Sequence, residues 1–141
     1  AKKPLKSTSL MSFKEIAVGD HSFQGKEKPI RLKDLIENPL ISPGQGSTTY
    51  EFYSKFFLEN DLVLSPDTEV ETIDQVLPLI MNGLGIGFLP ELFVRPVIEE
   101  GKVCQIPLKE NIPEREICLV EKHTFPPSIA AEMFKKMLVL K

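Results

Sequence analysis

The segment from Thr72 to Pro90 restricts this chain most, because a helical period there gives way to a short apolar run through two glycines. Thr72-x-x-Gln75 has the form of a capping box, in which a hydroxyl and an amide satisfy the orphan donors of a helix start. It predicts a helix from Ile73 to Met81. Pro78 removes a backbone donor and crowds the preceding turn, so that helix must start late or kink. Asn82-Gly83-Leu84-Gly85 ends it, and Ile86-Gly87-Phe88-Leu89-Pro90 reads as a buried strand. A helix that returns into a buried strand is the unit of crossover architectures.

The rest of the chain repeats the alternation. Leu10 to Gly19 alternates loosely, as one or two short strands do. Leu32, Leu35 and Ile36 share one face of a short helix that stops before Pro39. Leu40-Ile41-Ser42 is a brief strand, ended by Pro43-Gly44-Gln45-Gly46. Thr48-x-x-Glu51 is a second capping box, opening a helix with Phe52, Phe56 and Phe57 on its buried face and an end near Asn60-Asp61. A strand follows through Leu62-Val63-Leu64 or Glu69-Val70. Leu92 to Glu100 reads as a helix closed by Gly101, with Pro96 placing its true start later. Val103 to Leu108 and Glu116 to Val120 are strands, and Pro126-Pro127 open an amphipathic helix carrying Ile129, Met133, Phe134, Met137 and Leu138. The class is α/β. In such sheets ligands sit where helix N-termini meet the carboxyl ends of strands. Two places fit, the Ser42-to-Thr49 loop and the approach to the next helix around Glu71-Thr72.

Composition narrows the function. Hydrophobic residues at 42% and charged residues at 26% describe a soluble globular chain rather than a disordered one. A net charge of −3 argues against a phosphate-gripping duplex surface in this stretch, so DNA contact is expected to come from other chain. No apolar run approaches the roughly 20 residues that span a bilayer. The basic start Ala1–Lys6 lacks the apolar region of a secretory leader. Cys104 and Cys118 have no metal-ligand spacing and are either reduced core thiols or one disulfide. The first reading suits a cytoplasmic protein, which is the expectation.

The Ser42-Pro43-Gly44-Gln45-Gly46-Ser47-Thr48 loop is the best site candidate. Free amides at a helix start favour an anion, glycines allow close approach, and hydroxyls orient a ligand. The plainer reading is that Ser47 or Thr48 only caps the helix. Thr72 carries the same two readings. Phe13 and Phe88 can line a hinge or simply fill the core. His21 and His123 lie far apart with no ligating neighbours, and no Gly-x-Ser-x-Gly elbow occurs. Gly83-x-Gly85-x-Gly87 runs from helix to strand, the reverse of a dinucleotide cradle. No metal, cofactor or catalytic set is expected, which makes an enzyme the weakest of the classes.

The run Thr72-x-Asp74-x-Val76-Leu77-Pro78-x-Ile80-x-x-Gly83-Leu84-Gly85-Ile86-Gly87-Phe88-Leu89-Pro90 resembles the helix-to-strand return segment of LysR-type transcription regulators. Asp34-Leu35, Pro39-Leu40-Ile41-Ser42, the Ser/Thr loop before an aromatic helix, and Phe88-Leu89-Pro90-Glu91 follow the family's order, so the likeness covers nearly the whole chain. It implies a periplasmic-binding-protein-like effector domain of two α/β lobes joined by two crossing strands. One crossing falls near Leu10 to Glu15 and the other near Gly87 to Glu91. Residues 1–15 then hold the first crossing and part of lobe I, 16–86 a complete lobe II, and 87–141 the second crossing and the returning part of lobe I.

The resemblance further implies a small polar or anionic effector bound between lobes by Ser42, Gly44, Gln45, Gly46, Ser47, Thr48, Thr72 and Phe88. It implies self-association as dimer or tetramer, and DNA contact only through an N-terminal helix-turn-helix. That module, the linker helix and the opening of lobe I are missing from these residues, so only half of the cleft is expected here. The alternative is a transporter's solute-binding protein, which uses the same fold outside the cytoplasm.

Overall fold

A computed structural model describes residues 6–121. The central strand is β2 (Glu15–Gly19), buried at every position. It pairs antiparallel with β5 (Gly87–Pro90) on one side and β6 (Cys104–Ile106) on the other. Leu40 bridges Ile86 in parallel and joins β3 (Ile41–Pro43), itself parallel to β4 (Thr68–Val70), to this sheet. The two short parallel pieces are tied further by the Asp67 carboxylate, which accepts from the Leu40 amide at 2.8 Å.

Residue alternation along β2 and β5 sorts the core into two layers. Ala17, Ile86 and Phe88 join Leu32 and Leu35 of α1 (Leu32–Leu35) and Tyr50, Tyr53, Phe56 and Phe57 of α2 (Thr48–Glu59). Ile16, Val18 and Leu89 join Val76 and Ile80 of α3 (Val76–Met81) and Val94 of α4 (Glu91–Glu99) on the opposite face. Helices therefore cover both faces, and β2 has to be apolar throughout. Gly87 is needed where α3 lies down, since a Cβ there would stand 3.0 Å from Val76 Cγ1 and 3.1 Å from the Ile41 carbonyl oxygen.

Most expected elements form, with local differences. Ser47 rather than Thr48 caps α2: its Oγ accepts from the Tyr50 amide at 3.0 Å, and Thr48 becomes the first helical residue. The Ser/Thr-x-x-Glu spacing could not separate two adjacent hydroxyls. The Thr72–Gln75 box holds, with the Gln75 side chain accepting from the Thr72 amide at 3.2 Å. A 3-10 turn over Ile73–Gln75 precedes α3, so Pro78 falls in the first turn of the α-helix, where its missing donor matters least. Pro96, by contrast, sits inside α4, which begins at Glu91 regardless. Gly101 closes α4 at φ +79°, the left-handed conformation that glycine adopts freely.

A second, two-stranded ladder stands apart from the main sheet. β1 (Lys6–Phe13) and β7 (Arg115–Glu121) run antiparallel from Lys6 opposite Glu121 to Phe13 opposite Arg115. Only Lys14 separates β1 from β2. The division expected at residue 86 does not fall at a gap in the packing, because β5, α4 and β6 share their sheet and core with residues 16–86. The amphipathic helix expected from Pro126 lies outside the described residues.

Candidate functional site

β3 ends at Pro43, and the chain turns through Gly44-Gln45-Gly46 into the Ser47 cap of α2. The turn is closed locally: the Ser47 hydroxyl donates to the Gly44 carbonyl at 3.0 Å while accepting from Tyr50. Gly46 adopts φ +96°, which explains the glycine. The amides of the first helical residues, Thr48 and Thr49, have no acceptor within their helix and point outward with the positive end of the helix dipole. Beside this turn the Gly44 amide donates to the Val70 carbonyl at 3.1 Å, which draws the end of β4 alongside.

The result is an open cleft of about 480 Å³, lined by Gly44, Gln45, Gly46, Ser47, Glu69, Val70 and Glu71. Its two walls differ in charge. The α2 side offers amides and hydroxyls, and the β4 side carries the carboxylates of Glu69 and Glu71. The cleft therefore offers polar groups from the α2 side and acceptor carboxylates from the β4 side.

The eight expected site residues separate into three groups. Gly44, Gln45, Gly46 and Ser47 line the cleft, and exposed Thr48 adjoins them. Thr72 lies exposed just past the β4 wall. Ser42 and Phe88 are buried: the Ser42 hydroxyl donates to the Pro43 carbonyl at 2.9 Å, and the Phe88 ring packs 5.1 Å from that of Tyr53 and 6.1 Å from that of Phe57. Phe88 is therefore core, supporting α2 from beneath rather than facing a ligand. His21 is exposed in a 3-10 turn, and His123 lies outside the described residues. Among the described residues no group of three His, Cys, Asp or Glu side chains could hold a metal, and no helix is long and apolar enough to cross a membrane.

Sequence reasoning missed a buried polar cluster under the same helix. Glu15, at the start of β2, has a fully buried side chain. It accepts from the Tyr53 hydroxyl at 2.6 Å and from Arg115 NH1 at 3.0 Å. The same Tyr53 hydroxyl oxygen lies 3.1 Å from the Phe88 carbonyl oxygen, a second acceptor for its single proton. Arg115 NH1 reaches Thr49 Oγ1 at 3.4 Å, and its guanidinium lies 4.8 Å from the Phe52 ring centre and 5.5 Å from that of Phe13. Burial raises the Glu15 carboxyl above its ordinary value, against the lowering effect of the Tyr53 hydroxyl and the Arg115 charge. Burial, then the Glu15 charge, pushes Tyr53 well above the usual phenol value. The only sequence signal was a glutamate adjoining the apolar run Ile16-Ala17-Val18; its partners lie 38 and 100 positions away.

The family model described as the LysR substrate binding domain matches residues 5–140. The chain is 29% identical over 100 residues to the HTH-type transcriptional regulator YwqM of Bacillus subtilis (strain 168), covering 71% of this chain and 33% of YwqM. It is 36% identical over 64 residues to the HTH-type transcriptional activator CmpR of Synechocystis sp. (strain ATCC 27184 / PCC 6803 / Kazusa), covering 45% of this chain and 21% of CmpR. The chain thus spans a third or less of these relatives' lengths. Its fold is similar to that of the effector binding domain of QuiR in complex with shikimate, at TM-score 0.69 and 17% identity over 96% of this chain and 64% of that one. That likeness places the described residues in the periplasmic-binding-protein-like α/β class.

Proposed function

The chain belongs to the LysR substrate-binding-domain family, and from that premise we propose that it is the effector-sensing part of a bacterial transcription regulator. A small polar or anionic metabolite binds at the Gly44–Thr48 turn and modulates DNA contact made by an N-terminal helix-turn-helix outside this chain. The carrying observation is the start of α2, where the Ser47 cap and a glycine turn line an open cleft of about 480 Å³. That surface offers polar groups that can bind and orient a ligand, and the reading is a binder. The names of the relatives, both HTH-type regulators, support the regulatory role and a cytoplasmic location. No specific observation favours the transporter alternative.

In place of a second crossing near Gly87–Glu91, β1 and β7 serve as the paired strands that cross to the other lobe. They are antiparallel, lie outside the main sheet, and bracket residues 14–114 as one lobe. The other half of the effector cleft then comes from chain beyond them, and copies of the regulator associate as dimers or tetramers.

Binding of the intact protein to its own promoter DNA, measured by mobility shift across a panel of polar metabolites, tests this. A ligand with differential affinity for two states must change the DNA affinity by about fivefold or more. A broad panel in which no compound does so refutes the proposal.

A further inference from the structure

We propose that Arg115 is a positioning residue that ties the first turn of α2 to the β1–β7 strand pair, so that occupancy of that turn is read out as a change in the strands. The inference rests on the reading of the Gly44–Thr48 turn as the ligand site, extends it by one residue to Thr49, and adds how that site is coupled to the rest of the protein.

The buried ion pair sits at the junction of the strand pair and the main body. Phe13 and Arg115 form the last rung of the β1–β7 ladder, and Glu15 stands two residues beyond Phe13 as the first residue of β2. The Glu15–Arg115 contact therefore spans the point at which the strand pair leaves the main body. Tyr53 binds the same carboxylate from the second turn of α2, and its hydroxyl also reaches the Phe88 carbonyl of β5. One carboxylate thus ties α2 and the start of β7 to the start of β2, and Tyr53 extends the contact to β5. The Glu15 side chain is fully buried while that of Arg115 is 18% exposed, so the fixed end of the pair is in the body and the adjustable end is on the strands.

A buried ion pair is a poor device for stability alone, since the loss of hydration offsets the attraction. What it supplies is geometry. The guanidinium is planar and lies against two aromatic rings, Phe52 from α2 and Phe13 from β1, so sliding one element past the other disturbs both stacks at once. The contact that joins this assembly to the ligand turn is the long bond from Arg115 NH1 to Thr49 Oγ1, 3.4 Å. Thr49 is the second residue of α2, two positions after the Ser47 cap. An anion that accepts from the Thr49 hydroxyl leaves the hydroxyl oxygen to accept from Arg115, so occupancy favours the arrangement in which the guanidinium bridges Thr49 and Glu15 over the one in which it rests on Glu15 alone. The two arrangements differ in their contacts with the ligand, which is the condition for a ligand to shift an equilibrium.

Thr48 supplies the control, being exposed and in the same helical turn, whereas it is Thr49 that accepts from the arginine. Hydrogen–deuterium exchange on the intact protein is compared among wild type, Thr49→Val and Thr48→Val. Thr49→Val is expected to speed exchange in peptides covering Lys6–Phe13 and Arg115–Glu121 by about threefold or more, the change given by losing a hydrogen bond of ordinary net strength. Thr48→Val is expected to leave those peptides unchanged. In an Arg115→Lys background, which keeps the charge but not the fork, adding Thr49→Val is expected to have no further effect on the strands. Equal effects of the two threonine variants, or a Thr49→Val effect that survives the lysine background, overturn the coupling.

Inorganic phosphate is the probe in a separate arm. Protection of residues 47–50 in wild type supports the ligand turn, and its spread to the strands in wild type but not in Thr49→Val supports the coupling. Phosphate that leaves residues 47–50 unprotected counts against the site reading. The threonine comparison decides the coupling whatever phosphate does.

Discussion

Replacing Tyr53 by phenylalanine removes one oxygen atom and leaves the ring, which is 1% exposed and packed against Phe52 and Phe88. The packing loss is therefore small, and the cost falls on hydrogen bonding. The lost hydroxyl donates to Glu15 at 2.6 Å and lies 3.1 Å from the Phe88 carbonyl oxygen. A hydrogen bond to a charged group contributes about 1.5–3 kcal/mol, and a buried acceptor stripped of its donor adds its own desolvation penalty. Arg115 still holds the other Glu15 oxygen, which limits the damage. The expected loss is about 2–3 kcal/mol, or about 6–9 °C in Tm for a domain of this size.

The assay is urea unfolding of wild type, Tyr53→Phe, Glu15→Gln and the double variant at neutral pH. The double-mutant cycle is expected to return a coupling of about 1 kcal/mol or more, since residues in one hydrogen-bonded network do not act additively. A Tyr53→Phe cost below about 0.5 kcal/mol, the range of an ordinary surface substitution, would refute the view that this hydroxyl holds the buried carboxylate.

Two further outcomes follow from the same geometry. Ser47→Ala is expected to destabilise by about 1 kcal/mol through loss of the cap to the Tyr50 amide, while Thr48→Ala stays within about 0.5 kcal/mol; thermal melts of the two variants check which hydroxyl is the cap. Glu15 has a folded-state value above its unfolded one, so the folded protein binds the proton more readily. Its contribution is thus largest below the ordinary carboxylate value and declines as pH rises through the elevated one. Wild type should lose stability relative to Glu15→Gln across that window, and parallel pH profiles of the two proteins would remove the assignment.

The α/β class was already set by local chemistry. Proline and glycine punctuate the chain at Pro39, Pro43-Gly44, Gly83 and Gly101, and the runs between them have either a helical or a strand period. Those signals need no partner, and most of the elements they mark form among the described residues. The turn at Gly44–Ser47 was legible for the same reason, since a glycine pair before hydroxyls and an aromatic helix is a local pattern. Periodicity alone could not say which adjacent hydroxyl caps α2, because Ser47 and Thr48 differ only in the backbone conformation that the turn imposes.

What tertiary structure decided is everything that depends on distant pairing. The apolar run 86–90 was legible as a buried strand, yet only pairing with Glu15–Val18 on one side and the Leu40–Ile86 bridge on the other set it inside the main sheet. Phe88 carried two readings until α2 settled over it and made it core. Glu15 looks like a surface charge in its own segment, and it becomes a buried anchor only when Tyr53 and Arg115 are brought to it. Hydrophobic period records which face of an element is covered, because that depends on near neighbours in the chain. It carries no record of which distant polar group will meet a buried charge, because that contact exists only after the sheet has closed.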